Sequence, residues 1–185
     1  MKKKLTTVLA IVLVVALSVA GTYAYLTSKT ATITNTFTVG KVNIDLTETT
    51  GTEYQLIPGK SYVKDPTVTV KENSEKCYLF VKFEEKNSPA TYLAYTSTLT
   101  AENGWTQGDD TKIPSNVWYR VVDKAATDTS FVLLQADVNG NMVTVKDTVT
   151  NDNMEAASKA ELVYTAYACQ FEGMSPAQAW DAVSK

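Results

Sequence analysis

The 185-residue chain contains no histidine. That absence removes the commonest general base, the catalytic triads built on one, and every zinc site with an imidazole ligand. Cysteine is scarce. Cys77 and Cys169 cannot by themselves complete a four-ligand structural zinc site, and neither has a histidine to activate its thiol. Arginine occurs once, as Arg120 in the run VWYRVV. The simplest expectation for it is the polar tip of a strand position, its stem lying along apolar neighbours. Positive charge is short overall, with 17 bases against 20 acids and a net charge of −3. No basic stripe interleaved with aromatics is present, which excludes nucleic-acid binding as a reading. Heptad repeats, low-complexity tracts and long linkers are missing too. Near the last residues there is neither a hydrophobic tail with a basic stop nor a sorting pentapeptide, so no covalent wall attachment is expected.

What is present begins with Lys2, Lys3 and Lys4, then an uncharged apolar run over residues 5–20, then Gly21-Thr22-Tyr23-Ala24. A basic start, an apolar middle and a small-residue end form a signal peptide, expected over residues 1–24 with cleavage after Ala24. The alternative is a retained anchor, since residues 5–24 are about long enough to span a bilayer. In that case the membrane is met only through the uncleaved segment. No cysteine follows the apolar run, so a lipoprotein anchor is not indicated. The segment holds three of the bases and none of the acids, leaving the exported part more acidic than the whole. Export permits oxidation, and a Cys77–Cys169 disulfide stays open, because spacing alone does not make two strands neighbours.

Beyond residue 24 the apolar period is two. Ala31, Ile33, Phe37 and Val39 alternate with Thr32, Thr34, Thr36 and Thr38, and Asn35 is the one polar residue in the apolar phase. This reads as a half-buried strand with a threonine face. At Gly40 the phase flips to Val42, Ile44 and Leu46, as at a bulge or bend. Further strands are predicted at 66–70, 77–85, 91–100, 117–122, 131–138, 142–149 and 160–171, with an Asn139-Gly140 hairpin between the runs 131–138 and 142–149. A short helix is expected within 151–159. A second is expected over 175–184, opened by the capping box Ser175-Pro176-Ala177-Gln178 and carrying Trp180 and Val183 on one side. That helix is expected to plug an open end. The pattern predicts an all-β protein: an antiparallel β-sandwich with short helical decorations.

Candidate chemistry is thin. Glu84 and Glu85 are adjacent on a strand and face opposite sides. Asp109-Asp110 follows Gly108 in a loop that reads as solvated, and 137–141 carries part of a calcium-loop pattern that its turn role already explains. No metal ligand set, cofactor site or catalytic constellation emerges, and the chain is not expected to be an enzyme.

Taken together, the stretches "GTYAYLTS", "NTFTVGKVNIDLTE", "LIPGKSYVKDPTVTVKENSEKCYLFVKFEE", "VTVKDTVT" and "ELVYTAYACQFEG", with the Trp-containing helix after them, resemble the TasA/camelysin family of exported Gram-positive proteins. The resemblance runs from residue 1 to about Trp180. It implies a jelly-roll-like sandwich, export through a SipW-type signal peptidase cutting between Ala24 and Tyr25, and a biofilm-matrix role. In that role the freed N-terminal strand enters a neighbouring subunit's sheet. Carried over, the donor strand is residues 25–40, with Tyr25, Leu26, Ala31, Ile33, Phe37 and Val39 as its candidate residues, followed by a sandwich domain over 41–185. The partner is then the chain itself, polymerised head to tail, in the extracellular matrix or at the cell surface. Some relatives are labelled metalloproteases, an assignment that the missing histidine disfavours here. A monomeric adhesin with Trp105 and Trp118 in a carbohydrate-facing patch is the remaining alternative.

Overall fold

In the computed structural model the described residues are 41–51 and 54–185. The expected signal segment, the Ala24–Tyr25 junction, the bend at Gly40 and the candidate donor strand with Tyr25, Leu26, Ala31, Ile33, Phe37 and Val39 lie outside them. In chain order the strands are β1 (Ile44–Thr47), β2 (Ser61–Tyr62), β3 (Thr67–Val70), β4 (Cys77–Lys86), β5 (Leu93–Tyr95), β6 (Thr106–Gln107), β7 (Val117–Val122), β8 (Thr129–Val132), β9 (Val143–Val145) and β10 (Glu161–Gln170). The helices are α1 (Pro89–Tyr92), α2 (Met154–Ala157) and α3 (Pro176–Val183). All strand pairings are antiparallel, and the protein is an all-β sandwich with short helices.

Two sheets, ordered β1-β3-β8 and β10-β4-β7-β6, face each other across the main core. Period two decides which side chains meet there. On β3, Val68 and Val70 point inward while Thr67 and Thr69 point out, and Thr69 Oγ1 meets Ser130 Oγ at 2.8 Å on the exposed face. On β4, Cys77, Leu79 and Val81 enter the same core, and Ala166 and Ala168 of β10 are small enough to let the sheets close over them. Each fully buried valine or leucine contributes about 1.5–3 kcal/mol.

The first five residues of β4 are all buried, which one-sided packing cannot produce. Tyr78 and Phe80 point to the opposite face and are covered by α3, where Trp180 sits 5.4 Å from Phe80 and 5.3 Å from Tyr167 between ring centroids. The helix therefore roofs the outer face of the four-stranded sheet, and the expectation that it plugs an end is corrected. Its start is as predicted: Gln178 N–H donates to Ser175 Oγ and Ser175 N–H donates to Gln178 Oε1.

Two further expectations change. Residues 91–100 do not form one strand. Asn87 and Ser88 adopt left-handed backbone (φ 57° and 52°), Pro89 then opens α1, and only the three residues of β5 and a single bridge from Ser97 to Leu134 remain extended. The Asn139-Gly140 turn exists, with Gly140 at φ 83° and Asp137 N–H donating to Asn141 O at 2.7 Å, but it does not join a hairpin. β8 pairs with β3, whereas β9 lies between β2 and β5 in a third, small sheet. The reason sits at Leu133 and Leu134, which are both buried. The main chain changes partner there: Leu133 N–H donates to Pro66 O just before β3, whereas Gln135 N–H donates to Thr96 O just after β5.

Candidate functional site

The sandwich is closed on one side and open on the other. On the closed side, between β8 and the β6–β7 edge, the Arg120 guanidinium lies 4.0 Å over the Phe131 ring and 5.2 Å from the Trp105 ring, and Nη1 donates to Asn103 O at 3.1 Å. On the open side, β1 and β10 each terminate their sheet, so their outer main-chain edges are unpaired among the described residues. Between those edges and the small third sheet lies a cleft of about 950 Å³. Residues 46–48 and 160–164 form two of its walls. Leu56, Tyr62, Val143, Val145 and Met154 complete a largely apolar lining.

The polar groups at this cleft are few. Lys64 Nζ meets Glu48 Oε2 at 2.8 Å, with both side chains largely buried, and the Tyr54 hydroxyl donates to Glu48 Oε1 at 2.6 Å. Burial first, and then the Glu48 carboxylate, push the Tyr54 hydroxyl up to about 12. Tyr164, on the inner face of β10, stacks on Phe83 at 4.8 Å with the planes 15° apart. Its hydroxyl oxygen is buried and has no hydrogen-bond partner among the described residues. Burial is the main cause that raises its pKa, helped by Tyr95, Glu48 and Glu85. A buried hydroxyl without a partner is uncommon in a folded protein and costs about 1–3 kcal/mol.

The cleft follows directly from the local sequence. Leu162 and Tyr164 share the inward phase of β10, and Leu46 continues the phase of Ile44 on β1. Leu46 is 36 % exposed, because no described side chain covers that end of β1. What the arrangement offers is two main-chain edges that are unpaired among the described residues, and an apolar trough between them. Such a site binds an extended segment through main-chain hydrogen bonds and alternate side chains.

The other residues singled out in the sequence are accounted for elsewhere. Cys77 is fully buried between the sheets, and burial pushes its thiol up to about 11. Cys169 pairs with Tyr78 in the register of β10 on β4, so it faces α3, with Sγ 3.5 Å from Met174 Sδ. The two thiols thus lie on opposite faces of one sheet and are free. Trp105 is 3 % exposed and Trp118 packs against the main core, so they form no outward aromatic patch. Glu84 pairs with Lys82 at 3.0 Å, while Glu85 accepts from the Tyr95 hydroxyl. Asp109 accepts from the Thr111 N–H and hydroxyl, and these bonds hold its carboxyl below the usual range. Asp137 accepts from the N–H groups of Asn139 and Asn141, which ties it into its own turn. Among the described residues no three His, Cys, Asp or Glu side chains come together as a metal cluster, and no helix is long and apolar enough to cross a membrane.

Tyr164 and the Glu48–Lys64 pair were not singled out in the sequence. The tyrosine could have been flagged as a hydroxyl in the inward phase of the last strand. The ion pair joins residues 16 apart across a loop and leaves no local signal. Comparison with protein-family models, with curated proteins and with solved structures finds no match to this chain.

Proposed function

We propose that the chain is an exported structural protein, a protomer of an extracellular matrix fibre that assembles when its freed N-terminal strand seats in a neighbouring subunit. The observation that carries this reading is the apolar cleft between the edges of β1 and β10, which are unpaired among the described residues. Residues 31–39 supply the matching sequence, in which apolar Ala31, Ile33, Phe37 and Val39 alternate with threonines. The resemblance to the TasA/camelysin family supports the same reading.

The placement of the two ends also favours polymerisation. The described chain starts beside the beginning of β4, where Glu75 N–H donates to Lys41 O at 3.0 Å and Asn43 N–H donates to Ser74 Oγ at 3.1 Å. The cleft opens where β10 begins, opposite the far end of β4, Glu161 being paired with Lys86. The cleft wall at residues 46–48 lies five to seven residues of extended chain from Lys41, at most roughly 17–24 Å away. A donor leaving one end and an acceptor opening at the other make a head-to-tail contact, and such a contact need not close into a ring.

The test compares residues 25–185 with a form lacking residues 25–35, by electron microscopy and sedimentation velocity. Filaments from the first and monomers from the second are expected. A full mature chain that stays monomeric at high concentration, or a truncation that still makes filaments, overturns the reading.

A further inference from the structure

Two asparagines in the chain are followed by glycine, Asn103 and Asn139. At such a pair no Cβ hinders the glycine nitrogen, which can attack the asparagine side-chain carbonyl carbon within the same chain. By sequence the two pairs are equivalent. Their backbones are alike too, with φ 78° at Gly104 and 83° at Gly140. Gly104 N–H donates to Ala101 O at 3.0 Å, and Gly140 N–H donates to Asp137 O at 3.1 Å.

The surroundings separate them. Asn103 Nδ2 donates to Thr98 O at 3.0 Å, and Asn103 O accepts from Arg120 Nη1 at 3.1 Å. A Cβ at Gly104 would lie 3.3 Å from Arg120 Nη2, so the space above that peptide is filled. Trp105, the next residue, is buried. Around Asn139 the opposite holds. Asp137 takes the N–H groups of Asn139 and Asn141, and the Asn139 carboxamide is left without a hydrogen bond among the described residues. Val138 beside it is 99 % exposed. Apart from its chain neighbours, nothing lies within 4 Å of where a Cβ on Gly140 would stand.

We infer that Asn139 is a site of spontaneous modification, converting to aspartate and isoaspartate in the folded protein, while Asn103 is held unreactive. The Gly140 nitrogen bonds to Asn139 Cγ, its proton leaves with the amide group as ammonia, and a succinimide ring closes. Water then opens the ring at either carbonyl carbon, returning a proton to the Gly140 nitrogen. One opening gives aspartate, and the other routes the main chain through the side chain as isoaspartate. Water is the only co-reactant. Either product adds a negative charge beside Asp137. Isoaspartate also adds a methylene to the main chain between the two N–H groups that Asp137 holds, which loosens the turn leading into β9. The change thus reaches an element whose Val143 and Val145 line the cleft.

The experiment incubates residues 25–185 in mildly alkaline buffer, folded or in urea, with Asn139→Gln as the control. Tryptic peptides 87–112 and 125–146 are followed by mass spectrometry, and isoaspartate is read by enzymatic methylation. In urea both asparagines are expected to convert at similar rates. In the folded chain Asn139 converts and Asn103 lags by about tenfold or more, because its reaction waits for local opening. Asn139→Gln is expected to keep the thermal midpoint and to remove the folded-state signal. Equal folded-state rates at the two positions, or an Asn139 that reacts only in urea, overturn the inference.

Discussion

Arg120 places its charge over two aromatic faces instead of beside a carboxylate, and this closes one side of the sandwich. A planar guanidinium can stack there, whereas an ammonium cannot cover the same area. Arg120→Lys is therefore expected to lower stability by about 1 kcal/mol in urea denaturation, although the charge is kept. An unchanged midpoint and slope would show that the stacking contributes nothing. The cysteines make a second residue-scale prediction. With one thiol in the inter-sheet core and the other under α3, a thiol reagent should label Cys169 first and Cys77 only on unfolding. The Cys77 thiol sits at about 11 in the fold against 9.0 for an unperturbed thiol. The folded state holds that proton more tightly, so its contribution is whole below pH 9 and is lost as pH rises toward 11. Stability measured at pH 8 and pH 10 should fall less in Cys77→Ala than in the parent chain. Arg120 as a strand position was legible in the sequence. The stacking of the arginine head was not, because Trp105 reaches it from the loop before β6 and Phe131 from β8.

At the scale of elements, long strands were read well and short ones poorly. β4, β7 and β10 each run six residues or more, enough for period two to declare itself. β2, β5, β6 and β9 have two or three residues, too few to show a period. β5 and β9 are predicted only inside the longer runs 91–100 and 142–149, and β2 and the pairing of the third sheet were not legible. Caps and turns depend on adjacent residues and were correspondingly clear, as at Ser175-Pro176-Ala177-Gln178. Ser175→Ala should cost about 1 kcal/mol in thermal or chemical denaturation. Gly108 is fixed by its surroundings instead. Its N–H donates to Val117 O at 2.8 Å, and an added Cβ would lie 2.1 Å from Pro114 O and 2.4 Å from Ile113 O. Backbone atoms cannot yield as side chains do, so Gly108→Ala is expected to displace the 108–114 loop and destabilise by about 2–3 kcal/mol. A two-dimensional NMR spectrum unchanged over that loop would contradict this.

At the scale of the whole fold, the asymmetry that matters among the described residues is between a side sealed by Arg120 and a side open between β1 and β10. Covering apolar surface and pairing a strand edge both favour a bound segment, and neither depends strongly on salt. Leu46 tests the idea cleanly because it lines the cleft and is already 36 % exposed. Leu46→Asp should abolish filaments while shifting the thermal midpoint of the unassembled chain only slightly. Filaments of normal yield from that variant would exclude the cleft as the acceptor.

The sequence by itself determined the fold class, the long strands, the helix cap and the lack of histidine chemistry. Each of these depends on residue type or on spacing along a single element. Only the tertiary structure decided that the two cysteines stand on opposite faces of one sheet, that α3 roofs a face, and that the Tyr164 hydroxyl meets no partner among the described residues. These are matters of which element lies beside which, and neighbours in space carry no period along the chain. The cleft belongs to the same class. Its walls come from strands more than a hundred residues apart, and folding alone brings their free edges together.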